Sequence, residues 1–421
     1  MTTYEVVGKP VTREDGPDKV SGAHVYPADV TRPGMIFGKV LRSPFPHAKI
    51  VRIDTSRAAE LAGVHAVVTG QDLLGMRVGR FLRDVPPLAE DKVRFVGEKV
   101  AAVAADDPDI AEEALLLIDV EYEELPAVYD PLEAMEPGAP VVHEGSPTYG
   151  STSGPVEMLQ GNVVYHNAWS GGNLEQGFRE SDLVFEHTFT TPWVHQGYME
   201  PYSCIVEVDD SGQVQVWANN KQPFLLRRQL ASGLGLPEDQ ITINPCGIGG
   251  DFGGKAGAMN VPVAHALAQR SGRPVQMVMS YVEELMAGNP RHPSVITIKT
   301  GMKTDGRFWA RQSHVVYNGG AYGGFRGSLN LNGSRQAGGG PYRIPNFQID
   351  SYMVYTNNVP CGSYRAPGEP QAVFAVESHT DMIAAEMGLD PYELRLRNVV
   401  QEGDVSGTGQ RFNHLHGEET L

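Results

Sequence analysis

A glycine-rich heptapeptide, GGDFGGK at residues 249–255, is the first stretch whose residue types suggest chemistry. It lies between a strand-like ITINPC and a helix-like NVPVAHALAQRSG, and it satisfies the G-x-x-x-x-G-K spacing of phosphate-binding loops. Those loops continue with a serine or threonine that ligates magnesium, whereas Ala256 follows here. Asp251 also brings negative charge, and Phe252 bulk, to the place where phosphates would lie. The loop is therefore a poor nucleotide site and needs another explanation.

Two further glycine-rich segments follow it, NGGAYGGFRGS at 318–328 and YRAPGEPQ at 364–371. Glycine lets backbone N–H groups approach a ligand closely. One such loop is typical of a structural turn, but three in one region, each beside an aromatic residue or an arginine, favour a large polar cofactor. The residues alone do not name it. Tyr322, Phe325 and Arg326 either line a funnel towards the site or pack a bend.

The elements around these loops predict an α+β protein of two domains. Residues 35–105 contain short strands broken by turns, and PDIAEEALLLIDVEYEELPAV reads as a helix followed by an alternating strand. These elements predict a small N-terminal domain over 1–140. A Gly/Ser/Pro-rich stretch predicts a linker over 141–160. Long alternating strands, with a hairpin at TDG, and helices such as the one after Pro223 predict a second domain of mixed sheets and helices over 161–421.

Composition excludes several classes of function. The chain of 421 residues carries a net charge of −17 with no basic cluster, so we do not expect a nucleic-acid partner. Its beginning has no signal-peptide pattern and no apolar run reaches bilayer length, so we expect a cytoplasmic protein without a membrane partner. Cys204, Cys246 and Cys361 are too scattered for a disulfide framework, a zinc site or an iron–sulfur cluster.

An ordered set of motifs resembles the molybdenum hydroxylase (xanthine oxidase) family. DKVSGAHVYPADV, LRSPFPHAKIVRIDTS and KVRFVGEKVAAVAADD are similar to the small α/β hammerhead domain that precedes the molybdenum-binding region. HQGYMEPYSCIVEV, GIGGDFGGKAGAMN, RHPSVITIKTG and YRAPGEPQAVFAVES then follow in the family's order. The resemblance covers nearly the whole chain. It implies a hammerhead domain followed by the first half of a molybdopterin-binding domain, as in members with divided subunits such as nicotinate dehydrogenase.

The resemblance also implies which residues bind the cofactor. In this family the GGxFGGK loop approaches the molybdenum centre, and the backbone of Phe252 and of Arg365 would lie near the metal's ligands. A family glutamine falls at Lys221 or Gln222, because the local alignment slips by one residue, and Gln222 is favoured. The implied cofactor-binding residues are Gln222, Gly250, Asp251, Phe252, Gly253 and Arg365.

Three substrate-contacting positions depart from the purine-oxidising branch of the family. That branch carries a glutamate where Ala256 stands, an arginine where Gly333 stands with Arg335 two residues along, and an aromatic residue where Pro367 stands. We assign Ala256, Arg335 and Pro367 to the substrate side. Because a carboxylate and a guanidinium that would pair with a purine are absent, we do not expect xanthine as the substrate.

No catalytic residue is assigned in this chain. The family's catalytic glutamate lies beyond the last residue here. Glu369 belongs to YRAPGEPQ at 364–371, the arginine loop, and is not that base. We expect the first half of a divided protein, with the glutamate on a second molybdopterin-binding subunit; a truncated piece of a longer chain is the alternative. Nearer the loop, His195 is expected to be structural, and Glu200 to bond loop N–H groups.

The function implied is oxidation of a carbon of an N-heterocycle or aldehyde with water as the oxygen source. The cofactor would be molybdopterin with molybdenum, as such or as the cytosine dinucleotide, with a sulfido or selenido ligand. Electrons would leave through [2Fe–2S] and FAD on partner subunits, since this chain has no ligand set for either. Two alternatives stay open: reductive dehydroxylation of an aromatic substrate, and a non-catalytic scaffold paralogue.

Overall fold

The computed structural model describes residues 4–144, 148–151, 156–157, 161–326, 332–404 and 411–420. Strands alternate with helices along most of these ranges. The strands are β1 Ile36–Arg42, β2 Ala48–Asp54, β3 Val64–Thr69, β4 Leu82–Arg83, β5 Lys92–Val93, β6 Lys99–Ala105, β7 Asp119–Glu124, β8 Thr148–Ser151, β9 Val156–Glu157, β10 Val163–Gly171, β11 Leu183–Thr191, β12 Ser203–Val208, β13 Val214–Ala218, β14 Ile241–Asn244, β15 Val275–Val278, β16 Ser294–Met302, β17 Phe308–Gly320 and β18 Asn346–Tyr355.

The helices begin where the sequence supplies caps and prolines. Asp107 caps α3 by accepting the N–H of Asp109, and Pro223 occupies the first turn of α5, where no N–H is needed. The helices are α1 Gly16–Ser21, α2 Ser56–Ala59, α3 Pro108–Leu116, α4 Leu174–Arg179, α5 Pro223–Leu234, α6 Val261–Ser271, α7 Tyr281–Ala287, α8 Gln336–Gly339, α9 Glu369–Met387, α10 Pro391–Asn398 and α11 Gly417–Thr420. Short 3₁₀ turns span Pro27–Asp29, Gly70–Leu73, Glu133–Met135, Glu238–Gln240 and Asn332–Arg335.

A seven-stranded sheet joins the N-terminal region to the rest of the chain. Its order is β14-β13-β12-β15-β1-β6-β3, and β1 pairs with β15 in parallel, with Ile36 opposite Val275. Buried apolar residues of this sheet pack with those of α5 and α6, such as Leu226 and Leu267. The predicted boundary near residue 140 does not anticipate this shared sheet. A smaller sheet, β5-β2-β7, belongs to the N-terminal region alone.

A second sheet supports the helices of the C-terminal part of the chain. Its order is β10-β18-β17-β16-β11, and the predicted hairpin at TDG connects β16 to β17. The apolar side of α9 packs on it, with Val376 and Ile383 buried among sheet residues that include Ile298 and Val315. The glycine loop, residues 249–255, follows β14 of the first sheet. The arginine loop, residues 364–371, follows β18 and continues into the start of α9. Loops from two sheets can therefore meet at one site.

The predicted linker, 141–160, is partly built into a sheet. Within it, β8 pairs with β4 and β9 pairs with β8, because Thr148–Ser151 is extended beside Leu82–Arg83. These residues are therefore extended and paired, and the linker over 141–160 stays a prediction. Its other parts, 145–147, 152–155 and 158–160, lie outside the described residues.

Candidate functional site

The conformation of the glycine loop is fixed by its own aspartate. Gly250, Phe252 and Gly253 all have positive φ angles, of 100°, 46° and 119°. The Asp251 carboxylate turns inwards, accepting the N–H groups of Gly253 at 2.9 Å and Lys255 at 2.6 Å and pairing with Lys221 Nζ at 2.8 Å. The negative charge is therefore compensated by N–H groups of the loop and by Lys221.

Beneath the loop, Lys255 forms a buried ion pair. Its side chain has 0% exposure, and its Nζ lies 2.6 Å from Glu200 Oε2 and 4.6 Å from the centre of the Tyr198 ring. Burial lowers the pKa of Lys255, and the adjacent Glu200 opposes that shift. Glu200 also accepts the N–H of Gly249 at 2.6 Å. The expectation that Glu200 bonds the loop backbone is confirmed.

The arginine loop contacts the glycine loop directly. The N–H of Arg365 donates to the carbonyl of Phe252 at 2.7 Å. Arg291 Nη2 donates to the carbonyl of Arg365 at 2.9 Å, and its guanidinium stacks on Tyr364. A Cβ at position 253 would lie 2.6 Å from the carbonyl oxygen of Ser363, so this approach requires glycine. Phe252 and Arg365, which the sequence separates widely, are thus brought together.

Amide side chains bond further segments to the junction of the two loops, the place where Phe252 meets Arg365. Gln196 Nε2 donates to the carbonyls of Asn289 at 2.8 Å and Ser363 at 3.0 Å. Gln222 Oε1 accepts Nη2 of Arg80 at 2.9 Å, while Lys221 pairs with Asp251. Neither Gln196 nor Arg80 was assigned a role from the sequence. Gln196 carried a signal, since it precedes the YMEP motif, but Arg80 lies in no motif.

The junction offers unused backbone donors. Among the described residues, no hydrogen-bond acceptor is found for the N–H groups of Gly250, Asp251 and Phe252. Phe252 is 52% exposed, and the Arg365 side chain is exposed as well. Successive free N–H groups in a glycine-rich turn form a concave donor set for oxygen ligands that carry negative charge. The residues present therefore fit a polar, anionic cofactor such as a metal–oxo group.

Two family models match the chain. The model of the molybdopterin cofactor-binding domain family matches residues 156–399, more than half of the chain. The model of the aldehyde oxidase and xanthine dehydrogenase a/b hammerhead domain matches residues 21–126. The chain belongs to the molybdenum hydroxylase family. The fold and the oxidoreductase class expected from the motifs are confirmed.

Several members of this family resemble the chain along nearly its whole length. It is 40% identical to a probable xanthine dehydrogenase subunit of Bacillus subtilis, covering 98% of this chain and 53% of that protein. It is 33% identical to the nicotinate dehydrogenase large molybdopterin subunit of Eubacterium barkeri, covering 98% and 94%. Quinoline 2-oxidoreductase from Pseudomonas putida 86 superposes with a TM-score of 0.85 at 30% identity, covering 98% and 53%. Apart from the Eubacterium protein, the chain spans about half the length of these relatives.

The three substrate-side residues lie apart from one another. Ala256 has 0% exposure and faces the interior beneath the loop. Arg335 stacks its guanidinium on Trp169 of β10, 5.4 Å from the ring centre. Pro367 is half-buried beside them, between Ala366 and Gly368. Pro367 belongs to the arginine loop itself, and the substrate role of all three residues stays a prediction.

Position 333 cannot carry an arginine in this backbone. Gly333 is buried, and a Cβ built on it would overlap the carbonyl group of Gly368. The guanidinium of the purine-oxidising branch is therefore excluded by packing as well as by sequence.

The remaining candidate residues pack the protein interior. Tyr322 is buried and donates to Glu98 Oε1 at 2.5 Å, and Arg326 is buried as well, which favours the packing of a bend for these two residues. His195 Nδ1 accepts the N–H of Gly197 at 3.0 Å, as a structural histidine does. Burial raises the pKa of Glu369, which opens α9. All three cysteines are free thiols.

No helix among the described residues is long and apolar enough to cross a membrane. The same residues contain no group of three or more His, Cys, Asp or Glu side chains placed to hold a metal ion.

Proposed function

We propose that this chain forms half of the active site of a molybdenum hydroxylase that oxidises a carbon of an N-heterocycle or an aldehyde. The observation that carries the proposal is the junction of Phe252 and Arg365, where the N–H groups of Gly250, Asp251 and Phe252 have no acceptor among the described residues and the Phe252 side chain is exposed. A scaffold without a cofactor has no need to keep strained backbone at such a site. The alternative reaction, reductive dehydroxylation of an aromatic substrate, would use the same residues.

The cofactor we propose is molybdopterin with molybdenum, either as such or as the cytosine dinucleotide. When bound, it supplies a two-electron oxidant and an activated oxygen derived from water. The residues of this chain would hold and orient it: the N–H groups of Gly250, Asp251 and Phe252 would serve as donors to it, and Gly250 and Gly253 would allow close approach. The pairs Asp251–Lys221 and Glu200–Lys255 fix the loop, so the donors need no reorganisation during the reaction.

The rest of the machinery is proposed to lie on partner subunits. A second molybdopterin-binding subunit contributes the catalytic glutamate, and [2Fe–2S] and FAD subunits carry the electrons away. The scattered positions of Cys204, Cys246 and Cys361, two of them buried, give this chain no thiolate set for a cluster. Residues 1–140 and 161–421 are proposed as the hammerhead and molybdopterin-binding parts, on either side of 141–160.

The test is to purify the native assembly through a tag on this chain, then measure its mass, its molybdenum content and its activity in H₂¹⁸O. We expect a similar-sized companion, smaller cluster and flavin subunits, about one molybdenum per chain, and ¹⁸O in the oxidised heterocycle or aldehyde. An assembly without molybdenum would contradict the proposal and favour the scaffold. Turnover only with a reductant and a hydroxylated aromatic would favour reductive dehydroxylation.

A further inference from the structure

A small cavity lies between the N-terminal region and the turn that follows the glycine loop. Its volume is about 30 Å³. Since one water needs about 10–15 Å³ by this measure, the cavity has room for about two particles of that size. The strand β6 contributes Lys99 to its wall, and the turn before α6 contributes Met259 and Asn260. Both parts of the chain therefore border the same enclosed space.

Lys99 brings a positive charge to the wall of this cavity. Its Nζ donates to the carbonyl of Met259 at 2.8 Å, and both residues line the cavity. An ammonium group has three N–H donors. The described residues supply no acceptor for the other two and no carboxylate in ion-pair contact with them. An enclosed ammonium without an anion is costly, so this charge calls for compensation.

The other charged groups at the cavity do not compensate this ammonium. Arg42, on the same wall, is paired with Glu283 of α7 at 3.0 Å. Glu98 is occupied, because its Oε1 accepts the Tyr322 hydroxyl and its Oε2 accepts the backbone N–H of Arg94. Burial also raises the pKa of Glu98, which weakens its negative charge. The ammonium of β6 is the charge that has no partner of its own.

The start of α6 adds a neutral donor and a favourable dipole. Asn260 is 7% exposed, and its side-chain amide has no hydrogen bond in the described part of the chain. It lines this cavity and a smaller one beside it. Asn260 is also the N-cap residue of the 11-residue α6, so the positive end of the helix dipole lies here. An ammonium, an amide and a helix N-terminus are groups that bind anions.

We propose that this cavity is a binding site for a small monovalent anion of the halide class, chloride or bromide, held between Lys99 and Asn260. The anion accepts N–H groups of the ammonium and of the amide. The apolar remainder of the wall, which includes Phe95 and Phe325, offers no donors to a larger oxyanion. The site is separate from the molybdenum chemistry proposed above and does not depend on it.

The halide stabilises the turn that connects the glycine loop to α6. Met259 has a positive φ of 43°, a conformation that is unfavourable for a residue with a side chain. Its carbonyl is held by Lys99, so compensation of the ammonium also secures this turn. A residue of the N-terminal region thereby fixes the segment behind the loop.

Binding of the anion is coupled to the protonation of Lys99. Burial, assisted by the nearby Arg42, lowers the pKa of Lys99 to about 7, and Glu98 opposes the shift. The Cys204 thiol and the Tyr322 hydroxyl stay neutral in this range, because burial raises the pKa of both groups. An anion favours the charged ammonium, so the halide binds more tightly below pH 7 than above it.

The test follows the thermal midpoint of the purified assembly while sodium chloride replaces sodium gluconate at constant ionic strength. At pH 6.5 we expect a saturable rise of roughly 1–3 °C. The chloride concentration that gives half of the rise should increase about tenfold at pH 8.5. Lys99→Met should abolish the rise. Lys39→Met, on the adjacent strand β1 but paired with Glu112 at 2.6 Å, should retain it.

Crystals of the unaltered assembly grown in sodium bromide give a second readout, which does not depend on the folding of a variant. We expect an anomalous bromide peak between Lys99 Nζ and the Asn260 amide. Equal midpoints in chloride and gluconate, with no bromide peak in the cavity, would overturn the inference in favour of bound water. A chloride effect that survives Lys99→Met would overturn it too, since the anion would then bind elsewhere.

Discussion

Gly253 is the residue on which the contact between the two loops depends. Its φ of 119° is unfavourable for any side chain, and a Cβ would lie 2.6 Å from the carbonyl oxygen of Ser363. We therefore expect Gly253→Ala to cost roughly 1–3 kcal/mol in backbone strain and to separate Phe252 from Arg365. Molybdenum content per chain, measured on the purified assembly, should fall several-fold.

Gly272 provides the matched control for this substitution. It also has a positive φ, of 67°, but it caps the end of α6 and a Cβ there would meet nothing within 4 Å. Gly272→Ala should cost about 1 kcal/mol at most and leave the molybdenum content unchanged. Equal metal content in both variants would show that the loop contact does not support cofactor binding.

The second prediction at the scale of residues concerns the ion pair between Lys255 and Glu200. Removing one partner of a buried ion pair leaves the other charge uncompensated, so Lys255→Met should destabilise the assembly by about 3 kcal/mol. The double variant Lys255→Met/Glu200→Gln should recover part of this loss, because neither charge remains. Thermal unfolding of the assemblies measures both effects. A double variant no more stable than the single one would argue against charge as the cause.

At the scale of elements, His143 ties the segment before β8 to the end of β17. Its Nδ1 accepts the Tyr149 hydroxyl at 2.7 Å, and its Nε2 donates to the carbonyl of Ala321 at 2.7 Å, an arrangement that needs a neutral ring. Burial, assisted by the nearby Arg94, lowers the pKa of His143 to about 3. The unfolded chain binds this proton near pH 6.5, so stability is lost as the pH falls from about 6.5 towards 3.

Replacing His143 tests this pH dependence. A histidine with so low a folded-state pKa contributes up to about 1.4 kcal/mol per pH unit within that window. His143→Gln should therefore lose less stability than the unaltered assembly when the pH changes from 7.5 to 5.5, whatever its stability at pH 7.5. The exposed His416, changed to Gln, is the control. An unchanged slope in His143→Gln would mean that other groups govern acid sensitivity.

The sequence predicted the individual elements of the site better than the contacts between them. Local patterns were sufficient for the hairpin from β16 to β17 and for the helix that opens at Pro223. The parallel pairing of β1 with β15 and the bond from Arg80 to Gln222, 142 residues away, have no local signal, because they depend on how separate segments pack. The direction of the Asp251 carboxylate is likewise set by Lys221, which belongs to another segment.

At the scale of the whole molecule, exposed apolar side chains lie on two segments that support the glycine loop. Met199, at 86% exposure, follows Tyr198, whose carbonyl accepts the hydroxyl of Tyr281 at the start of α7. On that helix Leu285 is 64% exposed. The chain spans about half the length of most relatives described above, so we propose that the companion molybdopterin-binding subunit covers this surface.

A charge placed on this surface should weaken the assembly. Leu285→Glu would bury an unpaired carboxylate if the companion packs there, and we expect recovery of the companion with the tagged chain to fall by roughly tenfold. Leu116→Glu is the matched control, because Leu116 is 83% exposed on α3 of the N-terminal region. The native mass of each variant assembly shows whether the companion subunit is retained. If Leu285→Glu retains the companion while Leu116→Glu loses it, the covered surface lies on the hammerhead side, and the second half of the active site must reach Phe252 from that direction.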